Sequence, residues 1–218
     1  MSDSNLVSTG LSMYHDIWVH VTMGVSLSWV AIEGKSGEEV HRHLGLTDTG
    51  ARGDFLAYPI AGLDLRNGWY LVMADECDHK TLSDRVTESL SCGASVVGCS
   101  VEERLLYSSA MLWRQGKRIW RVQHRGAVHG IMDLVIEGQP PDGFYQLRDE
   151  YWAKQVSAGG AQAGADLIFE IPLALAKFFV GVHHDEPLSD VEADAWHVLT
   201  IKPNGLLAEA TKSWWRTR

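Results

Sequence analysis

Apolar residues along this chain fall mostly in short runs and alternations of strand length, separated by glycine-rich turns. Residues 17–22, IWVHVT, put Ile17, Val19 and Val21 on one side of a strand and Trp18, His20 and Thr22 on the other. After Met23-Gly24, residues 26–33, SLSWVAIE, form a second strand ended by Gly34, so the pair reads as a hairpin. Ser36 and Glu39 have the S-x-x-E spacing in which hydroxyl and carboxylate each satisfy a free backbone N–H at a helix start. That predicts a helix to Leu44, closed by Gly45. Residues 47–67 are rich in Gly, Asp and Thr and read as a long loop with one short strand near 55–58. The unbroken apolar run at 68–74, GWYLVMA, predicts a strand in the middle of a sheet. A second helix is expected from Thr81, capped by Thr81 and Asp84, with Leu82, Val86 and Leu90 as its stripe and Gly93 at its stop.

The longest stretch in which strand patterning and turn chemistry agree is 96–138. A buried strand at 94–100 precedes a hairpin of 104–113 and 118–124 around the turn 114–117. Pairing Arg114 with Lys117 sets Met111 opposite Trp120, Ser109 opposite Val122 and Tyr107 opposite His124. A turn at 126–130 leads to a strand at 131–137 with Met132, Leu134 and Ile136 inward. Pro140-Pro141-Asp142 opens a helix with Phe144, Leu147 and Tyr151 on one stripe. Residues 157–164, SAGGAQAG, read as a linker, 166–170 as a short strand, and 172–180 as a buried helix closed by Gly181. Ser189 and Glu192 repeat the capping spacing, and 196–202 form a last strand.

The two halves resemble each other. Ile17-Trp18 recurs as Ile119-Trp120, and Ile32-Glu33-Gly34 recurs as Ile136-Glu137-Gly138, each of the latter followed by a helix start. The expected fold is therefore α+β, a mostly antiparallel sheet with helices on one face, arranged as two tandem β-β-α-β-α lobes. The expected divisions are a disordered leader at 1–12, lobes at 13–93 and 94–183, and a C-terminal helix and strand extension at 184–218.

Composition narrows the partner. Acidic residues outnumber basic ones, 28 to 19, for a net charge of -9, which argues against nucleic acid and for a basic partner. Three cysteines without CxxC spacing and an N-terminus without a secretory pattern point to the cytoplasm. No apolar run approaches the ~18 to 20 residues of a membrane span. Nine tryptophans are unusual, and the type serves both cores and interface anchors. Most are expected in the core, with Trp214 and Trp215, beside Arg216 and Arg218, as the exposed pair.

Two acidic and histidine-bearing groups stand out. Asp75, Glu76, Cys77, Asp78 and His79 follow the central strand, and His183, His184, Asp185 and Glu186 follow a helix end. Neighbours on one short loop do not converge on a metal by spacing alone, so neither a metal nor a cofactor is expected. Asp75, Glu76 and Asp78 read first as an acidic turn ahead of a helix, where the dipole favours them. Cys99 becomes a nucleophile only if a histidine, His79, His124 or His184, converges on it. Glu102 and Glu103, adjacent on a strand, face opposite ways. Glu33 and Glu137, equivalent under the repeat, form a possible symmetric carboxylate pair. HExxH, GxGxxG and Walker spacings are absent from the sequence.

The expectation is a cytoplasmic protein-binding protein, similar in the style of its composition to small bacterial immunity proteins that neutralise a basic toxin. Its binding surface would draw on Asp75, Glu76, Asp78, His183, His184, Asp185, Glu186, Trp214 and Trp215. Two alternatives stand beside it: a hydrolase using the Asp75 to His79 loop or Cys99, and a structural subunit that forms a homodimer along an open sheet edge.

Overall fold

The unbroken apolar run ends up where its patterning requires. β4 (Trp69–Ala74) is buried at every position and lies between β3 (Ile60–Asp64) and β1 (Ser26–Glu33). The computed structural model describes residues 24–188, 191 and 195–208. The predicted leader, the strand at 17–22, Ser189 and Glu192 of the second capping spacing, and Trp214 and Trp215 lie outside them. The remaining strands are β2 (Leu46–Gly53), β5 (Ser95–Glu102), β6 (Tyr107–Arg114), β7 (Lys117–Arg125), β8 (Val135–Gly138) and β9 (Trp196–Ile201). Among the described residues these nine strands form one sheet in the order β2-β9-β3-β4-β1-β5-β6-β7-β8, and every pairing is antiparallel. The fold is α+β.

Helices cover both faces of this sheet, not the single face expected. α1 (Gly37–Leu44) and α2 (Asp84–Leu90) lie on one face, where Val40, Leu44, Val86 and Leu90 pack with Val30, Ile32, Tyr70, Val72 and Val96. α4 (Gly143–Ser157) and α5 (Glu170–Val180) cover the other, where Phe144, Ile171 and Leu175 pack with Trp29, Leu71, Met73, Val97 and Trp120. The cause lies in the central strands, which carry apolar residues at consecutive positions. Leaving either face in water would forfeit about 25 cal/mol for each Å² of apolar surface exposed. A single turn of helix, α3 (Gly126–His129), follows β7. α1 has the predicted capping box, with Ser36 Oγ accepting from Glu39 N–H and Glu39 accepting from Ser36 N–H, and Gly45 closes it at φ 71°.

Several expected elements are corrected. The loop predicted at 47–67 contains β2 and β3: β3 pairs along its length with the neighbouring β4, and β9, distant in sequence, lies on its other side and supplies the ladder for β2. The strand near 55–58 is a 3-10 turn, Phe55–Ala57. The second helix starts after Ser83, with Thr81 inside a separate 3-10 turn, Lys80–Leu82. Residues 166–170 form no strand; Asp166 Oδ1 accepts the Phe169 N–H at 3.1 Å in a turn that enters α5. The strand expected from 131 begins only at Val135.

The hairpin of β6 and β7 turns through Gln115 and Gly116, both at positive φ, as a two-residue loop matched to strand twist requires. Arg114 pairs with Lys117 as expected. A bulge between Leu112 and Trp113 then shifts the register by one, so Trp120 faces Leu112 and Arg121 faces Met111. The predicted pairs Met111–Trp120, Ser109–Val122 and Tyr107–His124 are each off by one residue for this reason. In consequence Trp113 belongs to the core under α1 and α2, and Trp120 to the core under α4 and α5.

The segment 13–93 supplies β1 to β4, and 94–183 supplies β5 to β8. These sets adjoin at the β1–β5 pairing, and β9 from the C-terminal extension lies within the first. Glu33 and Glu137 do not form a pair: β5, β6 and β7 lie between their strands.

Candidate functional site

Two clefts open at the same end of the sheet, on opposite faces, and together they take in every described residue predicted for the binding surface. The first is about 510 Å³ and is lined by Ser26, Asp75, Glu76, Cys77, Asp78, Glu102, Leu105, Tyr107, Arg125 and Val128. Its base is a single rung of the sheet, Ser26–Glu102–Tyr107–Arg125, read across β1, β5, β6 and β7. The acidic turn stands above this rung and is tied down. Ser28, fully buried, donates its hydroxyl to the Glu76 carbonyl at 2.7 Å, and Asp75 N–H donates to Pro59 O at 3.2 Å.

His79 does not join the acidic residues as a reactive group. It is buried, and its Nδ1 accepts from Thr81 N–H as the cap of the following turn. Burial holds its pKa below the ordinary histidine value. The cleft is electronegative because Asp75, Glu76, Asp78 and Glu102 line it, whereas its one cation, Arg125, is held by Asp133 at 3.1 and 3.2 Å. Cys77 registers that field: burial first, then the charges of Glu102 and Asp78, push its thiol up to about 11. Leu105 and Val128 flank the cleft as exposed apolar side chains, 59% and 76% accessible. Leu105 precedes Leu106 at φ 47°, a left-handed conformation uncommon for a branched residue.

The second cleft, about 460 Å³, lies on the α4–α5 face. Leu27, Met73, Val182 and Trp196 give it an apolar wall, and Asp54, Glu103, His183, His184, Asp185 and Glu186 give it polar groups. The histidines follow Gly181, whose left-handed conformation ends α5 and turns the chain back over the sheet. His183 is hydrogen-bonded through Nδ1 to Asp185, and its Nε2 lies 3.4 Å from Glu170. The Glu170 carboxylate, opposed by burial and aided by Asp185, holds the His183 pKa above its ordinary value. Burial pushes Asp185 up, but its hydrogen bond to His183 prevails and its carboxyl lies below the usual range. Glu186 is engaged by Lys177 at 2.6 Å.

Cys99 is in the core, 3% exposed, and burial raises its thiol pKa steeply. None of its three proposed histidine partners is hydrogen-bonded to it. His79 is turned to Thr81, His184 Nε2 to Glu103, and both nitrogens of His124 to Asp133 and Asp166. A nucleophilic triad is not assembled there.

Sequence reasoning singled out the acidic turn, the histidine run and the adjacent Glu102 and Glu103, but did not bring Glu103 to the histidines and missed Glu170, Leu105 and Val128. The one available signal was the adjacency of Glu102 and Glu103; β5 ends at Glu102 and Glu103 opens a 3-10 turn, Glu103–Leu105, and one carboxylate goes to each cleft. Among the described residues, no helix is long and apolar enough to cross a membrane. Compared with known protein families, with curated proteins and with solved structures, the chain matches none.

Proposed function

We propose that this chain is a cytoplasmic binding protein that captures a basic segment of one partner protein in the cleft of Asp75, Glu76, Asp78 and Glu102, in the manner of an immunity protein holding a basic toxin. The observation that carries this reading is the convergence of those four carboxylates on one cleft flanked by exposed Leu105 and Val128. Acidic groups attract and orient a basic chain, and the apolar rim receives the aliphatic stems of its Lys and Arg side chains. The net charge of -9 acts in the same direction at longer range.

The test is co-purification from the native host of tagged wild-type protein beside the triple variant D75N/E76Q/D78N, followed by titration of the purified pair at rising salt. The expected result is one stoichiometric basic partner retained by the wild type, with affinity falling as salt rises and falling at least ~10-fold in the variant. Retention of the same partner with unchanged affinity by the variant overturns the proposal, as does the absence of any stoichiometric partner.

A further inference from the structure

The second cleft holds an arrangement that a polar turn does not require. One potential ligand atom from each of His183, His184 and Asp185 lies within 4.8 Å of the others. Donors on a four-coordinate ion at about 2.1 Å sit roughly 3.4 Å apart, so small side-chain rotations suffice to bring these three onto a common centre. Each imidazole also has a carboxylate against its Nε2: Glu170 at 3.4 Å from His183 and Glu103 at 3.2 Å from His184. At His184 such a carboxylate–histidine pair places the hydrogen on Nε2 and leaves the Nδ1 lone pair for a metal, whereas at His183 the ion must displace the hydrogen bond from Nδ1 to Asp185.

His184 supplies the independent observation. Its side chain is 3% exposed, and Nδ1 is buried without a hydrogen-bond partner. Leaving a buried polar atom unsatisfied is costly, and such atoms are rare in folded proteins. The orphaned nitrogen belongs to one of the three clustered residues, in the wall of a cleft large enough to admit an ion and its remaining ligand. The site follows the C-terminus of α5, where the helix dipole favours positive charge.

We propose that His183, His184 and Asp185 bind a divalent transition-metal ion through two imidazole nitrogens and one carboxylate. Glu170 and Glu103 orient the two rings, and the fourth position opens on the cleft. The mixed nitrogen and oxygen set suits Zn2+ or a neighbouring first-row ion over Ca2+ or Mg2+, which prefer oxygen throughout. On binding, the ion takes the place of the hydrogen bond between His183 Nδ1 and Asp185.

The experiment is calorimetric titration of the metal-stripped full-length protein with Zn2+, with Ca2+ and Mg2+ as comparisons. The expected result is about one equivalent of Zn2+ bound by the wild type, with affinity reduced at least ~100-fold in H184A and ~10- to 100-fold in E103Q. If H184A fails to fold, D185N carries the test beside E103Q, since the Asp185 side chain is 60% exposed and its substitution leaves the core intact. The D75N/E76Q/D78N variant, altered on the opposite face, is expected to bind Zn2+ as the wild type does. No stoichiometric Zn2+ binding by the wild type, or unchanged affinity in both D185N and E103Q, overturns the assignment. Equal weakening in D75N/E76Q/D78N overturns it too, because the ion would then be held by the acidic turn.

Discussion

Glu102 and Glu103 are neighbours in sequence yet serve different clefts: Glu102 lines the acidic cleft on the α1–α2 face, while Glu103 Oε1 lies 3.2 Å from His184 Nε2 on the α4–α5 face. Glu103 is further fixed by accepting the Val25 N–H through Oε2 at 2.8 Å. The pair gives a separation of function within two residues. E102Q is expected to weaken capture of a basic partner and leave Zn2+ affinity unchanged, and E103Q to do the reverse. Parallel titrations of both variants with partner and with metal check this; a variant that weakens both equally counts against two independent clefts.

Burial of His124 with Asp166 makes a second site sensitive. Their side chains are 0% and 5% exposed, and His124 spans from Asp166 Oδ2 at 2.9 Å to the Asp133 carbonyl at 2.7 Å. D166A leaves both His124 Nε2 and the Phe169 N–H without their acceptor. Removing one member of such a buried pair costs about 3–5 kcal/mol, measurable as a lower urea midpoint. D166N, which keeps an acceptor oxygen, is expected to lose less.

The bulge in β7 predicts opposite sensitivities at adjacent residues. Trp120, 1% exposed, packs against Phe179 with ring centroids 5.6 Å apart, whereas Ile119 is 36% exposed. W120A is expected to destabilise by about 3–5 kcal/mol, and I119S by less than about 0.5 kcal/mol, as for other surface changes. Deleting Ile119 removes the bulge and turns Trp120 and Val122 to the wrong face. That variant is expected not to fold, as near-UV circular dichroism would report.

Acid sensitivity is expected at the β2–β9 edge. Burial raises the Asp48 carboxyl, but the His197 hydrogen bond at 2.7 Å, the Gly50 N–H and Arg52 outweigh it and lower its pKa to about 2. A carboxyl depressed in the folded state contributes stability above its unfolded value near 3.9, and loses it as pH falls toward about 2. D48N is therefore expected to flatten the dependence of the urea midpoint on pH between about 4 and 2. An undiminished slope in D48N assigns the acid sensitivity to other carboxyls.

The three thiols should react in a set order. Cys92 is exposed, Cys77 is half-buried with its thiol pushed up to about 11, and Cys99 is enclosed in the core. Since the thiolate is the reacting form, alkylation near pH 8 is expected at Cys92 first, at Cys77 slowly, and at Cys99 only after unfolding. Mass spectrometry of timed samples reads the order.

Local chemistry determined a good part of this protein from sequence alone. The Ser36–Glu39 box, the left-handed Gly45 and Gly181, and the unbroken run at 69–74 depend on neighbours within a few residues, and each is where its pattern places it. Glu102 and Glu103 do face different clefts as expected, but because β5 ends at Glu102 and Glu103 enters a 3-10 turn, not through alternation along one strand. Tertiary structure decided what depends on distant partners. β2 carries a weak pattern and is held by β9, which arrives from the far end of the chain and also pairs with the free edge of β3. The one-residue bulge that separates Trp113 from Trp120 has no marker in the hairpin's turn residues, yet it decides which core each ring enters. The same limit applied to the sites. The runs Asp75 to Asp78 and His183 to Asp185 were visible as residue types, but the carboxylates behind the two histidine rings come from Glu103 and Glu170. Only folding brings Glu103 to His184, because that contact spans 81 residues.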